Sequence, residues 1–259
     1  MFATIFSPIR DQASRQAPPS PAARAPAGER IYVVGDIHGR SDLLSRIHEA
    51  IRVDIAERGA PPKRTVVYLG DYVDRGPNSR DVIDMLIDAP IAGARSIHLK
   101  GNHEDMMLRF IRGDNVPHWL HNGGDATLAS YGVVVTGMMP DSVAIERLRR
   151  LLYAAVPAAH LAFLEKLELF HVAGDYAFVH AGIRPGVPLE AQRAADLLWI
   201  RDPFLTAKNH FDKCVVHGHT ISTAPEVRAN RIGIDTGAFF SGRLTCLVLE
   251  DDRVGFLQT

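Results

Sequence analysis

Five short segments of this 259-residue chain each place Asp, Asn or His directly after an apolar, β-rich run. They are Gly35-Asp36-Ile37-His38-Gly39, Gly70-Asp71-Tyr72-Val73-Asp74-Arg75-Gly76, Gly101-Asn102-His103-Glu104, Val179-His180-Ala181-Gly182 and His217-Gly218-His219-Thr220. One Gly-Asp after a strand is ordinarily a turn, and one His is ordinarily a satisfied core or surface residue. His48, His98, His118, His121, His160, His171 and His210 are read in that ordinary way. Five such segments in succession, spread from residue 35 to residue 220, are a stronger constraint. Ligands of open α/β sheets collect at the carboxyl ends of the strands. The fold must therefore bring these strand ends together.

The periodicity between the segments agrees. A strand Arg30–Val34 leads into a helix with Leu43, Leu44, Ile47, Ala50, Ile51 and Ile55 on one face, capped by Ser41 and stopped by Gly59 and Pro61-Pro62. A strand Thr65–Leu69 leads into a helix capped by Asn78 or Ser79, and a strand Ser96–Lys100 into one that stops at Gly113. Three strand–loop–helix units imply parallel strands with helical crossovers. Residues 114–167 read as mostly helical, with Asp141 capping a helix whose Ile145, Leu148, Leu151 and Leu152 face inward and whose Arg147, Arg149 and Arg150 form a solvated face. From residue 168 onward the pattern is mostly strand: Phe170–Val172, Tyr176–His180, Cys214–Val216, Arg231–Ile234, Leu244–Leu249 and Val254–Leu257. An α/β fold of two β-sheets packed face to face with helices outside satisfies both halves.

Residues 1–29 are Pro- and Ala-rich, with Pro18, Pro19, Pro21 and Pro26 and no apolar period, and read as a disordered N-terminal tail. Residues 30–259 read as one catalytic domain. The 29 Lys and Arg nearly cancel the 30 Asp and Glu, which argues against a nucleic-acid polymer or an acidic membrane as partner. No apolar run is long enough to span a bilayer, and MFATIFSPIRDQ lacks the positive n-region of a signal peptide. The two cysteines, Cys214 and Cys246, have no metal-site spacing, and a reducing cytoplasm is the expected setting.

Asp36, Asp71, Asn102 and the segment histidines offer oxygen and imidazole nitrogen donors without thiolate, a set that suits Mn, Fe or Zn. They suffice for two ions with one bridging carboxylate. Such a pair suits hydrolysis of a phosphate ester, by lowering the pKa of a shared water and clamping the attacking oxygen in line with the leaving group.

The segments GDIHG, GDYVDRG, GNHE, VHAG and GHT resemble the metallophosphoesterase superfamily, and GDYVDRG with GNHE looks like its phosphoprotein phosphatase family of serine/threonine phosphatases. The tail Ile232–Glu250 is similar to that of bacterial members. The resemblance spans roughly residues 30–250 and implies a calcineurin-like metallophosphoesterase fold with a dinuclear metal site at the strand ends. By matching position, it implies Asp36, His38 and Asp71 on the first metal, and Asp71, Asn102, His180 and His219 on the second. Two divalent ions are expected, Mn2+ by family and Fe or Zn as alternatives. It further implies that a bridging hydroxide attacks phosphorus and that His103, held by Asp74, protonates the leaving group. Arg75, Arg201 and Asn102 are expected to grip the substrate phosphate. Ile221 follows His219-Thr220 where many superfamily members carry a second ligand histidine, so His219 is the ligand there and His217 is not counted as one. Asn122-Gly123-Gly124 and Thr127–Gly132 are expected to border the cleft and shape substrate choice.

The implied activity is a phosphomonoesterase acting on phosphoserine and phosphothreonine proteins, with phosphotyrosine as a further substrate. The alternative is a symmetrical hydrolase of dinucleoside polyphosphates such as diadenosine tetraphosphate. A non-enzymatic metal-binding scaffold is disfavoured, because all six matched ligands and His103 are present.

Overall fold

The computed structural model describes residues 23–114, 118–134 and 141–259. The strands are β1 (Glu29–Val34), β2 (Lys63–Tyr68), β3 (Arg95–His98), β4 (Phe170–Ala173), β5 (Tyr176–Val179), β6 (Cys214–His217), β7 (Glu226–Val227), β8 (Arg231–Gly233), β9 (Thr245–Glu250) and β10 (Arg253–Gln258). The helices are α1 (Ser41–Arg58), α2 (Ser79–Asp88), α3 (Asn102–Arg112), α4 (Asp125–Ser130), α5 (Ser142–Ala155), α6 (Ala158–Glu165), α7 (Ala194–Trp199) and α8 (Ala238–Ser241).

One sheet has the order β10-β9-β1-β2-β3 and the other β4-β5-β6-β8-β7. Within the first, β1, β2 and β3 are parallel and β9 and β10 run against them. Within the second, β5, β6 and β8 are parallel, with β4 and β7 antiparallel at the edges. The two-residue alternation of strands sets the layers. Ile31 and Val33 of β1 face inward with Val67, Ile97, Leu247 and Leu249, and meet Tyr176, Phe178, Val216 and Ile232 of the second sheet. Tyr32 and Val34 face the other way, onto Leu44, Ile47 and Ile51 of α1 and Val82 and Leu86 of α2. The outer face of the second sheet packs Val179 and Val215 on Leu197, Ile200 and Phe204. Two packed mixed sheets flanked by helices are the architecture expected from the sequence.

Several local expectations change. Ser41 is the first residue of α1 rather than its cap, and its Oγ accepts from Asn78 Nδ2. Neither Asn78 nor Ser79 caps α2 through a side chain, because Ser79 Oγ is turned toward the Asp74 backbone N–H. Asp141 does cap α5, accepting from Ala144 N at 2.8 Å, but Leu151 points outward and is 44% exposed while Leu148 and Leu152 are buried. Residues 23–29, assigned to the tail on composition, are packed. Ala23 and Ala25 are buried in the inter-sheet core, and Glu29 already belongs to β1. Ala25 N donates to Asp251 O, and Tyr176 OH donates to Ala23 O. Composition hides this because alanines in an extended segment bury little surface each, yet the tertiary structure gives their backbone groups partners. The rest of the expected tail, residues 1–22, lies outside the described residues, as do 115–117 and 135–140 of the expected helical region.

Candidate metal centre

The parallel strands of both sheets end at one place. Asp36 follows β1, Asp71 follows β2, Asn102 and His103 follow β3, His180 follows β5 and His219 follows β6. His38, Asp71, Asp74, Arg75 and His219 all have positive φ, from 46° to 71°. That region is costly for residues with a Cβ, of order 1 kcal/mol or more each. The turn lets the chain stop its strand and aim the next side chain into the shared centre. Neighbouring carboxylates sit so close that glycine is required: a Cβ on Gly101 would lie 2.1 Å from Asp71 Oδ1, and one on Gly218 2.0 Å from Asp36 Oδ1.

Asp71 is the hub. Its Oδ2 is 3.4 Å from His38 Nε2 and 3.9 Å from His103 Nε2, and its Oδ1 is 3.4 Å from His180 Nε2. His38, Asp71 and His103 form one group of mutually close donor atoms, and Asp71, His180 and His219 form a second. Asn102 Oδ1 lies 2.9 Å from His180 Nε2 and so joins the second group. Asp36 is tied in differently, with Oδ2 accepting from His219 N at 2.9 Å.

The imidazoles are oriented from behind. His38 Nδ1 donates to Val73 O and His180 Nδ1 to Leu69 O, each at 2.9 Å, which leaves both Nε2 lone pairs facing the centre. Burial holds His38 neutral, with its pKa pushed down to about 3, and does the same to His219, at about 2. His180 is shifted down for the same reason. His103 differs. Burial again favours its neutral form, but Asp71 and the hydrogen bond from Nδ1 to Asp74 Oδ2, 2.7 Å long, outweigh it and raise the pKa. Three imidazoles are thus set up as lone-pair donors and one as a proton carrier.

Asp74 is fully buried and held by Thr127 Oγ1 at 2.6 Å and Trp119 Nε1 at 2.9 Å. Gly123 O accepts from Arg75 N, and a Cβ on Gly123 would strike Arg75. The 122–132 segment therefore backs the Asp74–Arg75 turn, where the sequence led us to expect a wall bordering the cleft. Arg75 extends over the Phe239 ring, 4.8 Å from its centroid, and brings Nη1 to 2.8 Å from His38 Nε2. Arg201 reaches the other side of the centre, with Nη2 3.4 Å from His219 O. His217 turns away: Nδ1 donates to Gly218 O, and Nε2 accepts from Arg231.

Two contributors went unnoticed in the sequence. Glu104, fully buried, accepts from the backbone N–H groups of Asp71, Tyr72, Val73 and Gly101, locking the β2 and β3 loops to each other. Asp235 follows β8 and is 2% exposed beside Asp36, with Oδ1 accepting from Gly237 N. Its pKa is raised to about 6, chiefly by burial. The rule that found the other sites, a carboxylate directly after a β-rich run, also fits Ile232-Gly233-Ile234-Asp235.

Residues fit for cations leave signs in the structure. Asp36 Oδ1 and His219 Nε2 are buried without a hydrogen-bond partner. The Arg75 guanidinium stands at His38 Nε2, where a cation would find its lone pair. The donor set of carboxylates, an amide and imidazoles suits divalent first-row metals.

A fold of two mixed sheets flanked by helices, with buried His and Asp groups able to hold metal at the strand ends, defines a metal-dependent phosphoesterase class. Residues 29–240 match the family described as calcineurin-like phosphoesterase, and the chain belongs to that family. It is 26% identical over 235 residues, 83% of this chain and 88% of the relative, to bis(5'-nucleosyl)-tetraphosphatase PrpE (asymmetrical) of Bacillus thuringiensis strain Al Hakam. The fold is similar to that of a solved structure provisionally assigned as a diadenosine tetraphosphatase, with a TM-score of 0.63 at 20% identity, covering 91% of this chain and 98% of that one. It is also similar to a cold-active protein-tyrosine phosphatase of a psychrophile Shewanella sp., with a TM-score of 0.57 at 16% identity over 93% of this chain and 82% of that one.

Proposed function

We propose that this chain is a dinuclear-metal-dependent hydrolase of phosphoric esters and anhydrides whose substrates are dinucleoside polyphosphates. The observation that carries the hydrolytic reading is Asp71, whose two oxygens face separate donor groups. Asp36, His38 and Asp71 would hold one divalent ion, and Asp71, Asn102, His180 and His219 the other. When bound, the ions lower the pKa of a water and neutralise phosphate oxygens. The expected metal is Mn2+.

The chain's own residues do the rest. Arg75 and Arg201, on opposite sides of the centre, grip phosphate oxygens with planar forks. Asn102 supplies an amide beside the same oxygens. His103 keeps its Nε2 proton because Asp74 accepts from Nδ1, and passes it to the leaving oxygen as the P–O bond breaks. Asp74 cannot turn, since Trp119 and Thr127 hold both of its oxygens.

The dinucleotide reading is supported by the name of relatives aligned over most of both chains. The asymmetrical cleavage in that name yields AMP and ATP, whereas the symmetrical cleavage considered from the sequence yields two ADP. The phosphoprotein reading, first from sequence, becomes second; GDYVDRG with GNHE is the observation that favours it. The test gives Mn2+-loaded protein a phosphothreonine peptide and diadenosine tetraphosphate at matched concentrations, with a chelator control. Faster turnover of the dinucleotide is expected, and the chelator abolishes it. Faster turnover of the peptide would overturn the substrate assignment, and turnover insensitive to chelation would overturn the metal assignment.

A further inference from the structure

Two of the large apolar side chains exposed among the described residues stand close to the candidate metal centre: Trp199 at 43% and Phe240 at 64%. Trp199 is the last residue of α7. Its ring meets His219 edge to face, with centroids 6.1 Å apart and planes at 82°. Phe240 lies on α8 against Phe239 at 5.1 Å, and Phe239 stands 5.5 Å from His38, beneath Arg75. One exposed aromatic therefore flanks the His219 side of the centre and another the His38 side. Each has a phosphate-binding candidate close by, Arg201 two residues beyond Trp199 and Arg75 stacked on Phe239.

We propose that Trp199 is a stacking platform for the nucleobase of a nucleotide whose phosphate sits at the metal centre, with Phe240 offering a second aromatic surface on the opposite flank. This deepens the dinucleotide reading above and rests on it. The argument is one of complementary chemistry. Cations alone suffice for the phosphate of an ester, and an exposed aromatic ring beside them adds a planar apolar surface that a base can cover. A nucleotide carries both partners in one molecule, a planar base and an anionic phosphate. Stacking on an aromatic side chain tolerates any base, so recognition of this kind selects nucleotides as a class and not one base.

The chain has two tryptophans, and Trp119 is fully buried behind Asp74, so the part of the quenching that Trp199→Phe removes reports on Trp199. The experiment titrates the full Mn2+-loaded chain with AMP and, separately, with ribose 5-phosphate, which keeps the phosphate and lacks the base. AMP is expected to quench Trp199 and to bind roughly tenfold more tightly than ribose 5-phosphate. By calorimetry, Trp199→Ala is expected to lose that preference and Trp199→Phe to keep it, with Phe240→Ala weakening AMP to a smaller degree. Equal affinities for the two ligands in the unsubstituted protein, or an undiminished AMP preference in Trp199→Ala, would overturn the proposal. The hydrolysis test is separate: base-dependent binding without cleavage of diadenosine tetraphosphate keeps the platform and rejects the substrate. Cleavage without base dependence does the reverse. Quenching by a phosphothreonine peptide but not by AMP would assign the aromatic surface to a protein substrate and overturn the nucleotide assignment.

Discussion

His103 and Asp71 have almost the same surroundings but opposite tasks. Both are buried at the strand ends. Burial works against the charge on Asp71, but His103 beside it pulls it toward its charged form, while His103 is pulled toward its own by Asp71 and Asp74. Replacing His103 with Asn should lower kcat by roughly 10²–10⁴-fold with little change in KM. The loss should be smaller for p-nitrophenyl phosphate, whose leaving group needs no proton. Equal losses for good and poor leaving groups would reject His103 as the acid. Asp74→Asn removes one of the two charges that raise the His103 pKa, so the alkaline limb of the kcat/KM profile, where His103 deprotonates, should move to lower pH. The residues that the structure gathers at the strand ends could be picked out from the sequence because strand-end Gly-Asp and Gly-Asn-His runs are rare in combination. Glu104 was overlooked although it completes one of those runs. A carboxylate that accepts from four backbone N–H groups has no spacing signature.

At the scale of elements, the strand–turn–helix units were readable because apolar spacing is a strong signal; the start of α5 at Asp141 was readable too, but those of α1 and α2 were not. Ser41 and Ser79 have good capping chemistry, but tertiary partners claim their hydroxyls. The turns that carry the candidate ligands accept no Cβ at Gly101 or Gly218. Gly218→Ala should therefore weaken Mn2+ binding more than tenfold, read by calorimetry, because Asp36 must shift. Away from the centre, α1 and the first sheet contain a pH-dependent contact. His48 Nε2 lies 2.8 Å from Tyr68 OH, and His98 stacks on Tyr68 with centroids 5.0 Å apart. Burial pushes both imidazoles down to about 4 from an ordinary 6.5, helped at His48 by Arg52 and His98. Between those values the unfolded chain binds more protons than the folded one. The contribution is full above pH 6.5 and is lost as pH falls toward 4. Melting temperature should drop over that window, and the slope should be shallower in His48→Gln. An unchanged slope in His48→Gln would mean that burial of His48 does not contribute to it.

Across the whole molecule, two sheets of different sequence pattern meet so that parallel strands from both end at Asp71. Apolar patterning predicted the fold class correctly, and composition placed the lower boundary of the packed domain incorrectly, since residues 23–28 are tied to the β4–β5 and β9–β10 turns. Arg24 N donates to Asp175 Oδ2, and Ala25 N to Asp251 O. A chain beginning at residue 29 should lose about 2 kcal/mol relative to one beginning at 23, or roughly 4–8 °C in Tm. No described helix is long and apolar enough to cross a membrane. The central claim is that convergence at Asp71 creates one shared site for two cations, and counting bound Mn2+ per full chain at saturation tests it most directly. The account predicts two; saturation at one ion, or no binding, would contradict it.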